Sequence, residues 1–145
     1  MSDVVLDSSV VAAWALSDEE LHPRALRIVD RLEAGELEPV VAIPFRFEVR
    51  HALVRAARAG RVAWATLPDW FAAVDALGAT MFEPPDDTAV LIDLARRYGL
   101  SWGDAHWVDV AMRLDLPLLT ADLRLARAVP DEVAIVVYLG DDQAA

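Results

Sequence analysis

The stretch Val4-Val5-Leu6-Asp7-Ser8-Ser9 decides the fold. Three apolar residues, two of them β-branched, run straight into an acid and two hydroxyls. An apolar run this short, with no alternation, reads as a strand buried on both faces. Such strands belong to parallel sheets covered by helices, and in open α/β sheets ligands sit beyond the carboxyl ends of the strands. Asp7 stands at that end. Alone it also reads as a cap for the helix that follows, so a metal-binding role depends on what else the chain brings there.

Working outward, Ser8 to Leu16 has helical composition, with Ser8 or Ser9 as its expected cap, and His22 to Leu32 carries Ala25, Ile28, Val29 and Leu32 at helical spacing. Glu38 to Ile43 is a second buried strand, and Pro44 opens a helix bearing Phe47, Glu48, His51 and Arg55. A helical stretch from Val62 to Leu77, interrupted near Pro68, leads to a short strand over Gly78 to Phe82. Further helices are expected from Asp86 to Tyr98, from Ser101 to Leu114 and from Leu123 to Ala128, with strands at Leu116 to Thr120 and Val133 to Leu139. Strands alternating with helices predict an α/β sandwich with a mainly parallel sheet.

At 145 residues the chain is expected to form one domain, with a core hiding roughly two thirds of the unfolded surface. It is 56% hydrophobic with a mean hydropathy of +0.31, which points to a further buried face such as a dimer or partner surface. No apolar run approaches the ~20 residues of a membrane helix, and no secretory leader is evident, so no membrane partner and a cytoplasmic location are expected. With no cysteine, thiolate zinc sites and cysteine nucleophiles are excluded. The net charge is -11 and every basic residue is arginine. That is globally the wrong sign for gripping phosphates, unless bound metal neutralises some acids and arginines form a local patch.

Most of the 24 acids fall in surface-like clusters. Four do not. Asp7 and Asp122 end strands, Glu48 sits one turn into a helix that follows a strand, and Asp104 sits near a helix start between Trp102 and Trp107. On an α/β fold all four fall near the same edge of the sheet. Four carboxylates together repel strongly unless a cation holds them, and oxygen ligands without sulfur suit Mg²⁺ or Mn²⁺. Each acid also has an ordinary reading, as a cap for Asp7, Asp104 and Asp122 and as a surface pair with Arg46 or Arg55 for Glu48; the joint pattern shifts the balance.

Four motifs, Val5-Leu6-Asp7-Ser8-Ser9, Pro44-Phe45-Arg46-Phe47-Glu48-Val49, Ser101-Trp102-Gly103-Asp104-Ala105 and Leu118-Leu119-Thr120-Ala121-Asp122, give the chain its family likeness. It resembles the PIN-domain nucleases, and within them the VapC-like toxins of bacterial type II toxin–antitoxin systems. The resemblance implies a PIN-like three-layer sandwich with about five strands and the Asp7 strand central, a domain over residues 1–140 and a short tail over 141–145. It implies that Asp7, Glu48, Asp104 and Asp122 bind Mg²⁺ or Mn²⁺ and catalyse RNA cleavage by metal-activated water. It further implies a cognate antitoxin as partner, and a homodimer is expected. The alternatives are a PIN-type nuclease outside any toxin pair and a non-catalytic PIN-like scaffold.

Around the quartet, Ser9 and Thr120 are expected to orient carboxylates through their hydroxyls. Arg46 and Arg50, which share a helix face, and Arg124 with Arg127 are candidates for RNA phosphates, and Trp102 and Trp107 for base stacking. The chain departs from the family at His51, where asparagine is common, and at Gly103, where a larger residue is usual. Asp109 is expected to form a surface pair with Arg113 four residues on.

Overall fold

A computed structural model describes residues 2–142; the rest of the expected tail, 143–145, lies outside the described residues. The elements run β1 (Ser2–Leu6), α1 (Ser8–Ala15), α2 (His22–Glu33), β2 (Leu37–Val41), α3 (Phe45–Arg58), a 3₁₀ turn (Trp64–Thr66), α4 (Leu67–Asp75), β3 (Thr80–Met81), α5 (Thr88–Tyr98), α6 (Trp102–Leu114), β4 (Leu118–Thr120), α7 (Leu123–Ala128) and β5 (Val136–Tyr138). All five strands pair in parallel in the order β3-β2-β1-β4-β5. The opening stretch is thus the central strand, with Val5 opposite Val40 on one side and Leu118 on the other. Val5 and Leu6 are fully buried, as a strand covered on both faces requires.

The strand order reverses direction at β1. The chain first moves outward through β2 and β3, then crosses back to β4 and β5. Right-handed crossovers place the helices of these two runs on opposite faces of the sheet. The packing agrees: α1 lies against α2 and α3, whereas α5 lies against α6, which covers β1 and β4. The reversal leaves a crevice beyond the carboxyl ends of β1 and β4, the place where open α/β sheets bind ligands.

Local sequence sets the boundaries. α2 buries Ala25, Ile28, Val29 and Leu32 along one stripe, as their spacing predicts. α5 begins at Asp87, whose carboxylate accepts from the Val90 amide, and ends at Gly99, whose φ of 64° is open to glycine at little cost. α6 begins at Ser101, whose hydroxyl accepts from the Asp104 amide, and buries Ala105 and every residue from Trp107 to Ala111.

Three expectations need correction. Ser8 and Ser9 do not cap α1: Asp7 occupies the N-cap position with no side-chain cap bond, and both hydroxyls are turned to its carboxylate instead. The last strand is shorter than Val133 to Leu139, because Pro130 starts a turn whose carbonyl accepts from the Val133 and Ala134 amides. Asp109 does pair with Arg113, at 2.9 Å, but it is buried rather than on the surface; Arg113 shields it and also approaches Asp87 at 3.7 Å.

Candidate functional site

Asp7 is the anchor. Its amide donates to the Leu119 carbonyl, which ties the end of β1 to β4. Ser9 and Thr120 each donate a hydroxyl to Asp7 Oδ2 at 2.7 Å. Each hydroxyl also accepts a backbone amide, Ser9 from Ala121 at 2.9 Å and Thr120 from Asp122 at 3.0 Å. Each hydroxyl thereby spends its one proton on Asp7 while a backbone amide fixes its oxygen, and the carboxylate is held in one orientation. Thr120 is fully buried and Asp7 nearly so. Burial pushes the Asp7 carboxyl up to about 6, against the hydrogen bonds from Ser9 and Thr120, and the charges of Glu48 and Asp104 push it further the same way.

Glu48 arrives from α3, where Pro44 ends the turn after β2 and the helix begins at Phe45. Its Oε1 accepts from the Trp107 indole N–H at 2.9 Å. Desolvation raises its carboxyl above the usual range, the indole bond opposes this, and the Asp104 charge adds to the rise. Gly103 explains the room Glu48 has. A Cβ there would stand 3.4 Å from both carboxylate oxygens, so a bulky side chain would displace the acid. An alanine just fits, and glycine in a helix costs about 0.5–1 kcal/mol relative to alanine. Gly103→Ala is therefore expected to raise stability by up to that amount in urea denaturation, whereas Gly103→Phe should lower it.

Asp104, in the first turn of α6, and Asp122, at the start of α7, meet through a cation. Arg124 reaches Asp104 Oδ2 at 3.1 Å and Asp122 Oδ2 at 3.5 Å. Asp122 also caps α7, accepting from the Arg124 and Leu125 amides, so the ordinary reading of this acid holds beside the other one. Among the described residues no three His, Asp or Glu side chains close into a ready metal cage. The charges of Asp7, Glu48 and Asp104 nonetheless act on one another. The donors are oxygens only, as hard divalent ions prefer. A guanidinium already bridges two of the acids as a stand-in cation, so these residues fit such an ion once Arg124 yields its place.

The other expected contacts scatter. Arg46 and Arg50 both pair with Asp75 of α4, at 3.3 and 3.7 Å, and Arg50 lies over the Phe71 ring. Two residues along a helix is about 200° of rotation, so Arg46 faces away from Glu48. Trp102 is exposed beside Asp104, edge-on to His106. Trp107 is no stacking platform: it is fully buried, packed edge-on against Phe45 and bonded to Glu48. Its role was hidden because α6 is apolar on most sides, although its place three residues after Asp104 marks a shared helix face. Arg124 was visible only as one arginine among others near Asp122.

Among the described residues no helix is long and apolar enough to cross a membrane. Comparison with curated proteins gives no match. Among solved structures, the chain resembles that of PAE2754 from Pyrobaculum aerophilum, with a TM-score of 0.67 and 24% identity over 94% of this chain and 92% of that one. It also resembles FitAcB from Neisseria gonorrhoeae, with a TM-score of 0.55 and 16% identity over 97% of this chain and 99% of that one. Both likenesses concern the fold. Residues 4–129 match the PIN domain family, a range that takes in Asp7, Glu48, Asp104 and Asp122, and the chain belongs to that family.

Proposed function

We propose that the chain is a Mg²⁺- or Mn²⁺-dependent endoribonuclease acting as the toxin of a toxin–antitoxin pair. PIN domains are generally nucleases. The single observation that carries the reading here is Asp7, a buried carboxylate at the end of the central strand, lifted to about 6 by burial and then by the charges of Glu48 and Asp104. Such a group weakens the fold at neutral pH unless it serves a cation. Asp7, Glu48, Asp104 and Asp122 would hold the ion, which when bound supplies Lewis-acid activation of water and offsets charge at the phosphorus. Ser9 and Thr120 keep Asp7 in one orientation. Trp107 keeps Glu48 in place to take a proton from the attacking water. Arg124, once released from Asp104 and Asp122, lies beside the acids where a phosphate would approach.

The unit of function is one domain over residues 1–140, working in the cytoplasm. Ile43 and Met81 are exposed apolar residues lining a groove of about 660 Å³ beside α3, which supports a homodimer. The cognate antitoxin would cover the acidic site and place a basic group among the carboxylates, as Arg124 does within the chain.

The deciding experiment is cleavage of single-stranded and hairpin RNA with Mn²⁺, with EDTA, and with Asp104→Asn. Metal-dependent cutting that the variant loses by at least about 100-fold is the expected result. Cutting that survives EDTA, or that the variant retains, overturns the reading. Arg124 gives a second test. Its guanidinium is largely exposed, so it competes on the scale of a surface ion pair. Arg124→Ala is expected to tighten Mn²⁺ binding about two- to fivefold in calorimetric titration without RNA.

A further inference from the structure

We infer that the cavity beside Glu48 is a subsite for one unpaired nucleobase flanking the bond that is cut. The inference rests on the ribonuclease reading and names the part of the substrate that this chain grips. The cavity holds about 500 Å³, walled by α1, the α1–α2 connection, α3 and the residues following β4 and within β5. Ser8, Ser9 and Glu48 belong both to its wall and to the acidic site. Whatever fills it therefore lies next to the carboxylates. Its volume falls in the roughly 300–1,000 Å³ range of small-molecule sites and admits a nucleoside.

The chemistry of the wall suits a base. Phe47 and His51, one turn apart on α3, stack with centroids 5.6 Å apart and planes 13° from parallel. Tyr138 brings a third ring from β5. That ring lies across Gly140, in the space a side chain at 140 would need, so a glycine there fixes where Tyr138 sits. Unpaired RNA bases are taken up by stacking on such rings. Arg55, four residues beyond His51, lines the same cavity and offers a cation for the neighbouring phosphate. Glu19 and Glu20 line it too, and Glu19 is held by Arg61 at 2.7 Å. An acceptor-rich rim favours bases carrying an exocyclic amine, so adenine, cytosine and guanine are preferred to uracil.

Two measurements test the subsite. Metal-free protein is titrated with AMP, CMP, GMP and UMP and followed by amide chemical shifts. Shifts centred on Ala12, His51, Ala52 and Tyr138, weakest with UMP and lost in His51→Ala, are expected. Cleavage of a randomised single-stranded RNA pool with Mn²⁺ is then sequenced. A base preference at one position beside the cut, disfavouring uracil, should fall about tenfold in Phe47→Ala and in Gly140→Ala, the scale of one lost stacking contact. Phe47 and Gly140 act from different elements, so parallel loss in both is not a folding artefact of either. If the nucleotides shift other residues and both variants keep the wild-type preference, the subsite is wrong while the nuclease reading stands. If the nucleotides bind as described but no RNA is cut, the nuclease reading fails and the base site remains.

Discussion

Asp7→Asn should lose RNA cleavage by at least about 100-fold, lose Mn²⁺ binding in calorimetry, and yet unfold at a higher temperature than the wild type above pH 6. The two halves have one cause. In the fold, burial pushes the Asp7 carboxyl up to about 6, above its ordinary value of 3.8. Between those values the folded state holds a proton that the unfolded chain has released. Metal-free stability therefore falls as pH rises from about 4 to about 6, and it stays low above that. The gap corresponds to about 3 kcal/mol for a fully buried group. Asparagine has no charge to desolvate, its carbonyl can accept from Ser9 and Thr120 as Oδ2 does, and it relieves repulsion from Glu48 and Asp104. A gain of about 1–3 kcal/mol at pH 8, shrinking towards zero at pH 4, is the expected urea-denaturation result. A variant less stable than the wild type at pH 8 would show that Asp7 is structural.

The second large effect belongs to Trp107. This residue joins the core to the site: its ring is fully buried against Phe45 while its N–H holds Glu48. Trp107→Ala should cost about 3–5 kcal/mol, through the lost contacts and the cavity left behind. That size of effect alone cannot separate packing from chemistry, so Trp107→Phe is the informative partner. It keeps an aromatic ring in the core and removes the donor, at a smaller packing cost than alanine. Glu48 is then left half-buried without its indole bond, and its carboxyl should move further up. The expected signature is cleavage reduced about tenfold with a pH–rate limb displaced to higher pH. An unchanged profile in Trp107→Phe would reduce the indole to packing.

The frame of the molecule was legible because its signals are local. A short apolar run ending in an acid marked β1, and further short apolar runs marked β2 and β4. Gly99 and Ser101 punctuated α5 and α6 where the helical spacing said they would. The hydroxyls of Ser9 and Thr120 were readable too, since both sit within two residues of a site acid. What was not legible depends on partners far along the chain. Arg46 and Arg50 share a face, but only the fold reveals that Asp75 on α4 occupies it. Trp107 beside an acid looks the same in sequence whether it points to solvent or into the core. Asp109 looked superficial because no pattern of apolar residues discloses that an arginine can cover a carboxylate. The shared hold of Arg124 on Asp104 and Asp122 needs α6 and α7 brought together, and no spacing encodes that distance.

The hydroxyl network at the end of β1 also sets an order of events during synthesis. Asp7 and Thr120 are 113 residues apart in sequence. Asp7 emerges from the ribosome early, with β2 as the first strand able to pair with it. β4, which brings Thr120 and leads into Asp122, follows only after α5 and α6. Contacts of such long range form late, because a large loop must close before they gain anything. A growing chain therefore carries the first acid for most of its synthesis without a site around it. On the proposed activity, the protein stays harmless to the message that encodes it until β4 docks beside β1.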